Sequence, residues 1–209
     1  MNKLQPSHKQ LTGGLLIDVL SPPPSGSIPI HKIAHSLSKQ DRFTGHLDIF
    51  YPVAAHAIMV SYMVPRELAL MALCHDNAES IIGDVSSPMK YSMRRLTMGE
   101  ECSFDRLDNL WQDSLTDRNQ YDGNQLDIIK RADHMAGLIE MKMHFSQLDE
   151  RVQLPFEDGW HIFDYFDPEQ IENNRSIDDL RMCHMFETEQ NWKFWRHKFI
   201  ERYNELTAQ

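Results

Sequence analysis

Cysteine is scarce in this chain: three residues among 209, Cys74, Cys102 and Cys183. An odd number with no CxxC spacing argues against a disulfide framework and points to a reducing compartment, the cytoplasm. Long apolar runs are also missing. None approaches the ~20 residues that a membrane-spanning helix needs, and the opening Met1-Asn2-Lys3-Leu4-Gln5-Pro6 lacks the apolar stretch of a signal peptide. Positive charge is in deficit, with 21 Lys and Arg against 31 Asp and Glu, a formal net charge of −10. That excludes a broad nucleic-acid surface, which needs a basic stripe. It does not exclude a small phosphate-bearing substrate, because a metal and a few basic side chains can reverse the local potential. No internal repeat and no clear linker is present. What remains is an ordinary soluble composition, 41% hydrophobic and 25% charged, in a chain long enough for one well-cored domain.

Apolar spacing of three to four dominates the pattern and predicts a mostly helical fold. Helices are expected over residues 30–40, 52–63, 99–115, 126–145 and 187–206, the last carrying Trp192, Trp195, Phe199 and Tyr203 as core or interface residues. A short strand is expected over 15–20. Three consecutive prolines, Pro22 to Pro24, forbid a helix there. Pro88 reads as part of a loop, and the 119–124 segment as a turn. The corresponding division is an extension over 1–29, a core over 30–150 and a C-terminal helical segment over 151–209 packed on it.

The densest chemistry lies in Cys74-His75-Asp76-Asn77-Ala78-Glu79. Pro65 reads as a helix start and Gly83 as its C-cap. On one continuous helix His75 and Glu79 would share a face with Asp76 beside them. An adjacent His-Asp pair cannot fill a metal's coordination shell, so other helices must supply ligands. His56 on the preceding helix is one candidate. Asp133 is another: it interrupts an apolar pattern, and burying a lone carboxylate costs on the order of several kcal/mol unless a cation compensates. Read alone, each has an ordinary explanation, His56 as a core histidine and Asp133 as a surface acid paired with Lys130 or Arg131. His31, His35, His134, His144, His161, His184 and His197 have no such company and read as structural. Met59, Met63, Met71, Met135, Met141 and Met143 read as core filler.

The ordered set His56, His75-Asp76, Asp133 resembles the HD-domain metal-dependent phosphohydrolases, an all-α superfamily of helical bundles. Arg42-Phe43-Thr44-Gly45-His46, Tyr51 to His56, His75 to Ser80 and Gly83 to Tyr91 resemble successive blocks of one branch, as does Ile33 to Ser38. That branch holds bacterial 5′-deoxynucleotidases and phage-encoded relatives that include dATP triphosphohydrolases. The resemblance covers roughly residues 15–145. It implies metal ligation by His56, His75, Asp76 and Asp133, and activation of water by Glu79 and Asp84. It implies a phosphate contact at Arg42, a second basic contact at Lys90 and nucleoside packing at Phe43, with His46 either supporting the site or approaching the nucleotide. Pro52, Ala55 and Asn77 depart from the branch pattern and remove no ligand.

On this resemblance the expected cofactor is one divalent transition metal, with zinc, cobalt and manganese all admissible. The expected substrate is a deoxynucleotide, cleaved at the phosphate next to the sugar. A triphosphate such as dATP and a monophosphate are both open, as is a non-catalytic nucleotide sensor. No membrane or nucleic-acid polymer is expected as a partner. A homo-oligomer, dimer or hexamer, is expected, in the cytoplasm (a host's, for a phage-encoded protein).

Overall fold

The computed structural model describes residues 5–97, 102–116, 118–157, 159–172 and 185–208. Cys183 and His184 lie outside the described residues; Cys74 and Cys102 are free and buried. The chain is mostly helical: α1 (Ile30–Leu37), α2 (Val53–Met63), α3 (Ala69–Cys74), α4 (Glu79–Ile82), α5 (Ser87–Leu96), α6 (Ser103–Leu115), α7 (Gly123–His144), α8 (Pro168–Glu172) and α9 (Trp192–Thr207). Among the described residues no helix is long and apolar enough to cross a membrane. The expected strand exists as β2 (Leu16–Asp18), paired antiparallel with an unforeseen β1 (His8–Gln10).

The centre is α2, buried continuously from Val53 to Ser61. Its Val, Ala, Ile and Met residues leave no polar face, and a helix apolar all round has to be enclosed. Neighbours do so: α3 and α7 pack against it, and α9 lies across α1, α2 and α3. Trp195 and Phe199 of α9 are fully buried in the same core, while Trp192 stays at the edge against His35. The aromatic stripe of the C-terminal segment is therefore largely core.

Several boundaries differ from the sequence reading: α1 ends at Leu37 instead of 40, and α9 begins at Trp192 instead of 187. The 119–124 turn leads directly into α7, whose N-cap Asp122 accepts from the Gln125 amide while the Gln125 side chain returns a bond to the Asp122 amide. Pro88 sits in the first turn of α5 instead of a loop. An amide there has no intrahelical acceptor, so its loss costs nothing.

Candidate metal centre

Beyond Pro65 the chain does not form one helix. It makes a 3₁₀ turn at Arg66–Leu68, then α3, then a second interruption before α4. Through 74–81 the bonds run i to i+3, from Asn77 N–H to Cys74 O, Glu79 N–H to Asp76 O and Ser80 N–H to Asn77 O. The tighter winding eclipses positions three apart. It therefore aligns Glu79 with Asp76, not with His75 as a continuous α-helix would. Gln112 of α6 serves the backbone at the break, donating to Cys74 O at 2.9 Å and accepting from Ala78 N–H at 3.2 Å. Gly83 ends α4 as expected, at φ 92° with its N–H on Glu79 O.

His56, His75 and Asp76 each present a ligand atom within 4.8 Å of the others. His56 Nε2 lies 3.7 Å from Asp76 Oδ2 and 3.0 Å from Asp133 Oδ1. His75 Nε2 lies 3.2 Å from Asp76 Oδ2 and 3.7 Å from Asp133 Oδ1. Asp133 thus approaches both imidazoles from α7, but its side chain is 41% exposed. It forms the open rim of the cluster and is not the buried carboxylate that the sequence pattern implied.

That buried carboxylate is Glu140, two turns further along α7, which the sequence reading missed. It is completely enclosed, accepts from His56 Nδ1 at 2.6 Å and from Arg42 Nε at 3.1 Å. The i, i+7 spacing from Asp133 was the signal, since both fall on one helix face. Burial works against its charge, but Arg42 and His56 outweigh it and hold Glu140 below the usual carboxylate value. In turn Arg42 is held above its already high value, as Glu140, Asp76, Asp84 and Glu79 overcome its burial.

These contacts fix the imidazoles. With Nδ1 of His56 donating to Glu140 and Nδ1 of His75 donating to the Ala72 carbonyl at 2.6 Å, each ring turns its Nε2 lone pair toward Asp76 and Asp133. His75 Nε2 is buried without a hydrogen bond. Lone pairs and carboxylate oxygens converging at 3.0–3.7 Å call for positive charge, which a bound cation would bring and which the imidazoles also supply when protonated, since against burial the carboxylates hold both rings above their ordinary pKa. Two imidazoles with two carboxylates is a donor set that suits a divalent transition ion.

Glu79 lies beside this cluster, 3% exposed. Burial, then Asp76 and Asp84, push its carboxyl well above the ordinary value. Lys90 of α5 stands 3.3 Å from Glu79 Oε1 and pulls in the opposite direction. Asp84, in the loop between α4 and α5, is likewise raised by burial and Asp76 against Arg42 and Lys90. Gln40, also missed, joins this edge to α1 by donating to Glu79 O at 3.0 Å and accepting from Asp84 N–H at 2.9 Å.

The remaining expected positions divide. Arg42 reaches the cluster, with Nη1 3.8 Å from Asp76. Phe43 adjoins the Arg42 guanidinium and packs edge-on against Phe145. His46 is exposed at the end of the same turn and contributes no hydrogen bond to the cluster. Phe43 and Thr44 both adopt left-handed backbone, at φ 54° and 58°.

No family model matches the chain. A stretch of 63 residues, 30% of the chain, is 49% identical to the uncharacterized protein YfdR of Escherichia coli K12. A stretch of 91 residues is 33% identical to the uncharacterized protein RCAP_rcc00048 of Rhodobacter capsulatus. The chain spans 35% and 46% of the length of these two curated relatives.

Proposed function

We propose that this protein is an HD-domain phosphohydrolase, using one divalent metal to hydrolyse a deoxynucleotide at the phosphate next to the sugar. The observation that carries the reading is the convergence of His56, His75, Asp76 and Asp133 on one point with the buried carboxyl of Glu79 alongside. A metal held by those four residues would supply Lewis acidity, making water acidic near neutral pH and offsetting charge on phosphate. Glu79 takes the proton from the attacking water, and Asp84 orients that water or relays the proton. Arg42 turns a fixed guanidinium to the phosphate, its Nε already held by Glu140. Lys90 offers a second positive charge, an ammonium, and lowers the proton affinity of Glu79. The working form is a small-molecule enzyme of the cytoplasm, in a homo-oligomer.

Between the two substrates, triphosphate cleavage of dATP is the leading reading. One observation favours the monophosphate instead: among the described residues, Arg42 and Lys90 are the basic groups acting on both Glu79 and Asp84, few for three phosphates. Protein supplied with Mn²⁺ or Co²⁺ is incubated with each dNTP, dNMP and ribonucleotide, and the anions are separated. Deoxyadenosine with intact triphosphate is the expected result. Orthophosphate from monophosphates alone would assign a 5′-deoxynucleotidase. Absence of product from metal-loaded protein would sink the hydrolase reading in favour of a nucleotide sensor.

The Lys90–Glu79 pair sets a pH signature. Glu79 must be ionised to act as a base, so kcat/KM rises with pH as it loses its proton, and its raised pKa places that limb above the ordinary carboxylate range. Lys90→Met removes a group that lowers this pKa, so the limb moves to higher pH. A pH profile with the limb unmoved would disprove the coupling.

A further inference from the structure

A second chemical environment adjoins α4 and is lined by none of the four proposed metal ligands. It is a cavity of about 400 Å³ between the β1–β2 hairpin, α1 and α4, within the size range of small-ligand pockets. Its lining includes Lys9, Lys32, Lys39, His35, Ser36 and Ser80, with no aspartate or glutamate. In a chain of net charge −10, three lysines lining one cavity without an acid call for an explanation.

Their present partners are neutral ones. Lys9 Nζ donates to the Ile81 carbonyl and Lys32 Nζ to the Thr12 carbonyl. Lys39 rests over the Trp192 ring at 4.3 Å. Among the described residues none of the three is salt-bridged. Burial holds Lys9 below its usual pKa. Gly13, at φ 72°, allows the hairpin to close over Lys32; a Cβ there would meet Nζ at 2.7 Å. Independently, Ser80, 3% exposed, is among the lining residues, and its buried hydroxyl has no hydrogen-bond partner. Buried polar atoms are rarely left so unless a ligand or water completes them. Cationic donors with an unsatisfied hydroxyl and no competing carboxylate match the oxygens of a phosphate group.

We propose that this cavity is an anion site for a small phosphate-bearing molecule, separate from the metal centre and bound by Lys9, Lys32, Lys39 and Ser80. The site is mechanically joined to the catalytic edge. Ser36 Oγ donates to the Ser80 carbonyl at 2.9 Å and accepts from Gln40, whose amide also holds Glu79 O and Asp84 N–H. An anion drawn against Ser80 therefore bears on the backbone that carries Glu79.

The test uses isoleucine methyl NMR on the whole metal-loaded protein, with inorganic triphosphate and orthophosphate as separate probes. Ile28, Ile33 and Ile81 line the cavity and report it directly, whereas Ile139 on α7 does not line it and serves as reference. Saturable shifts at the three cavity residues are expected, with the better probe showing how many phosphates fit. Lys32→Glu/Lys39→Glu should weaken that binding at least about 100-fold, as expected for losing two charge-assisted contacts, while the other methyl shifts stay put. Should the double variant fail to fold, Lys39→Gln, at an exposed position, should cost about tenfold. No saturable shift at these residues, or equal affinity in the variants, would overturn the proposal. Neither outcome touches the hydrolase reading, because nothing is hydrolysed in the measurement.

Discussion

Glu140→Leu is expected to cost about 3–5 kcal/mol of unfolding free energy, the scale of removing one member of a buried ion pair. Leucine nearly fills the space, so the loss is electrostatic. The Arg42 side chain, only 14% exposed, keeps one ion pair, to Asp76 at 3.8 Å, beside the more distant Asp84 and Glu79, and His56 Nδ1, fully buried, loses its acceptor. The imidazole is then free to turn or to change tautomer, which should weaken metal binding by about 10–100-fold. Glu140→Gln keeps an oxygen for His56 and removes the charge, so it should lie between parent and leucine variant on both scales. Urea unfolding and a metal titration read the two effects separately. A leucine variant as stable as the parent would mean that Arg42 and His56 find other partners, and Glu140 would lose its place in the site.

Asp76→Asn should be the most damaging single change to chemistry. Asp76 is the carboxylate nearest His75 and lies within 3.8 Å of His56 and Arg42 as well. Burial opposes its ionisation, but His75 and His56, when protonated, outweigh both burial and Asp133 and hold it well below the ordinary carboxylate range. Asparagine preserves the shape and removes the anion. Turnover should fall by about 10²–10³ or more, the scale of losing one preorganised electrostatic partner. Added Mn²⁺ or Co²⁺ should stabilise the parent, by about 2.7 kcal/mol at a hundred times Kd, and should do little for the variant. Thermal melts with and without metal, alongside the product assay, decide it. A variant with the parent's melting shift and turnover would place the metal elsewhere.

The helical class was legible because most helices here are one-sided, and a period of 3.6 survives in their sequence. α2 concealed more than it showed: buried on every face, it has no stripe, so its central position comes from packing alone. The cluster was legible where its residues are adjacent, as in His75-Asp76. Its break at 74–81 was not, because the tightening is stabilised by Gln112, a distant side chain with no local signature. Glu140 stayed hidden for a related reason. Its neighbours in sequence look like those of any charged residue on a long helix, and only the fold brings Arg42 and His56 to it. Asp133, an acid in an apolar pattern, does reach both imidazoles, but the fold leaves it half-exposed at the rim.

Consecutive left-handed residues without glycine, Phe43 and Thr44, have a cost and a use. Each is strained by roughly 1–3 kcal/mol, and the surrounding helices bear that load whether or not any ligand is present. The turn they make delivers Arg42 to Glu140 and Asp76 already ordered. A phosphate arriving there meets an arginine whose rotational freedom was surrendered when the chain folded. Its binding then needs little further loss of entropy, and the charge that would be slowest to organise in solution is the one waiting in place.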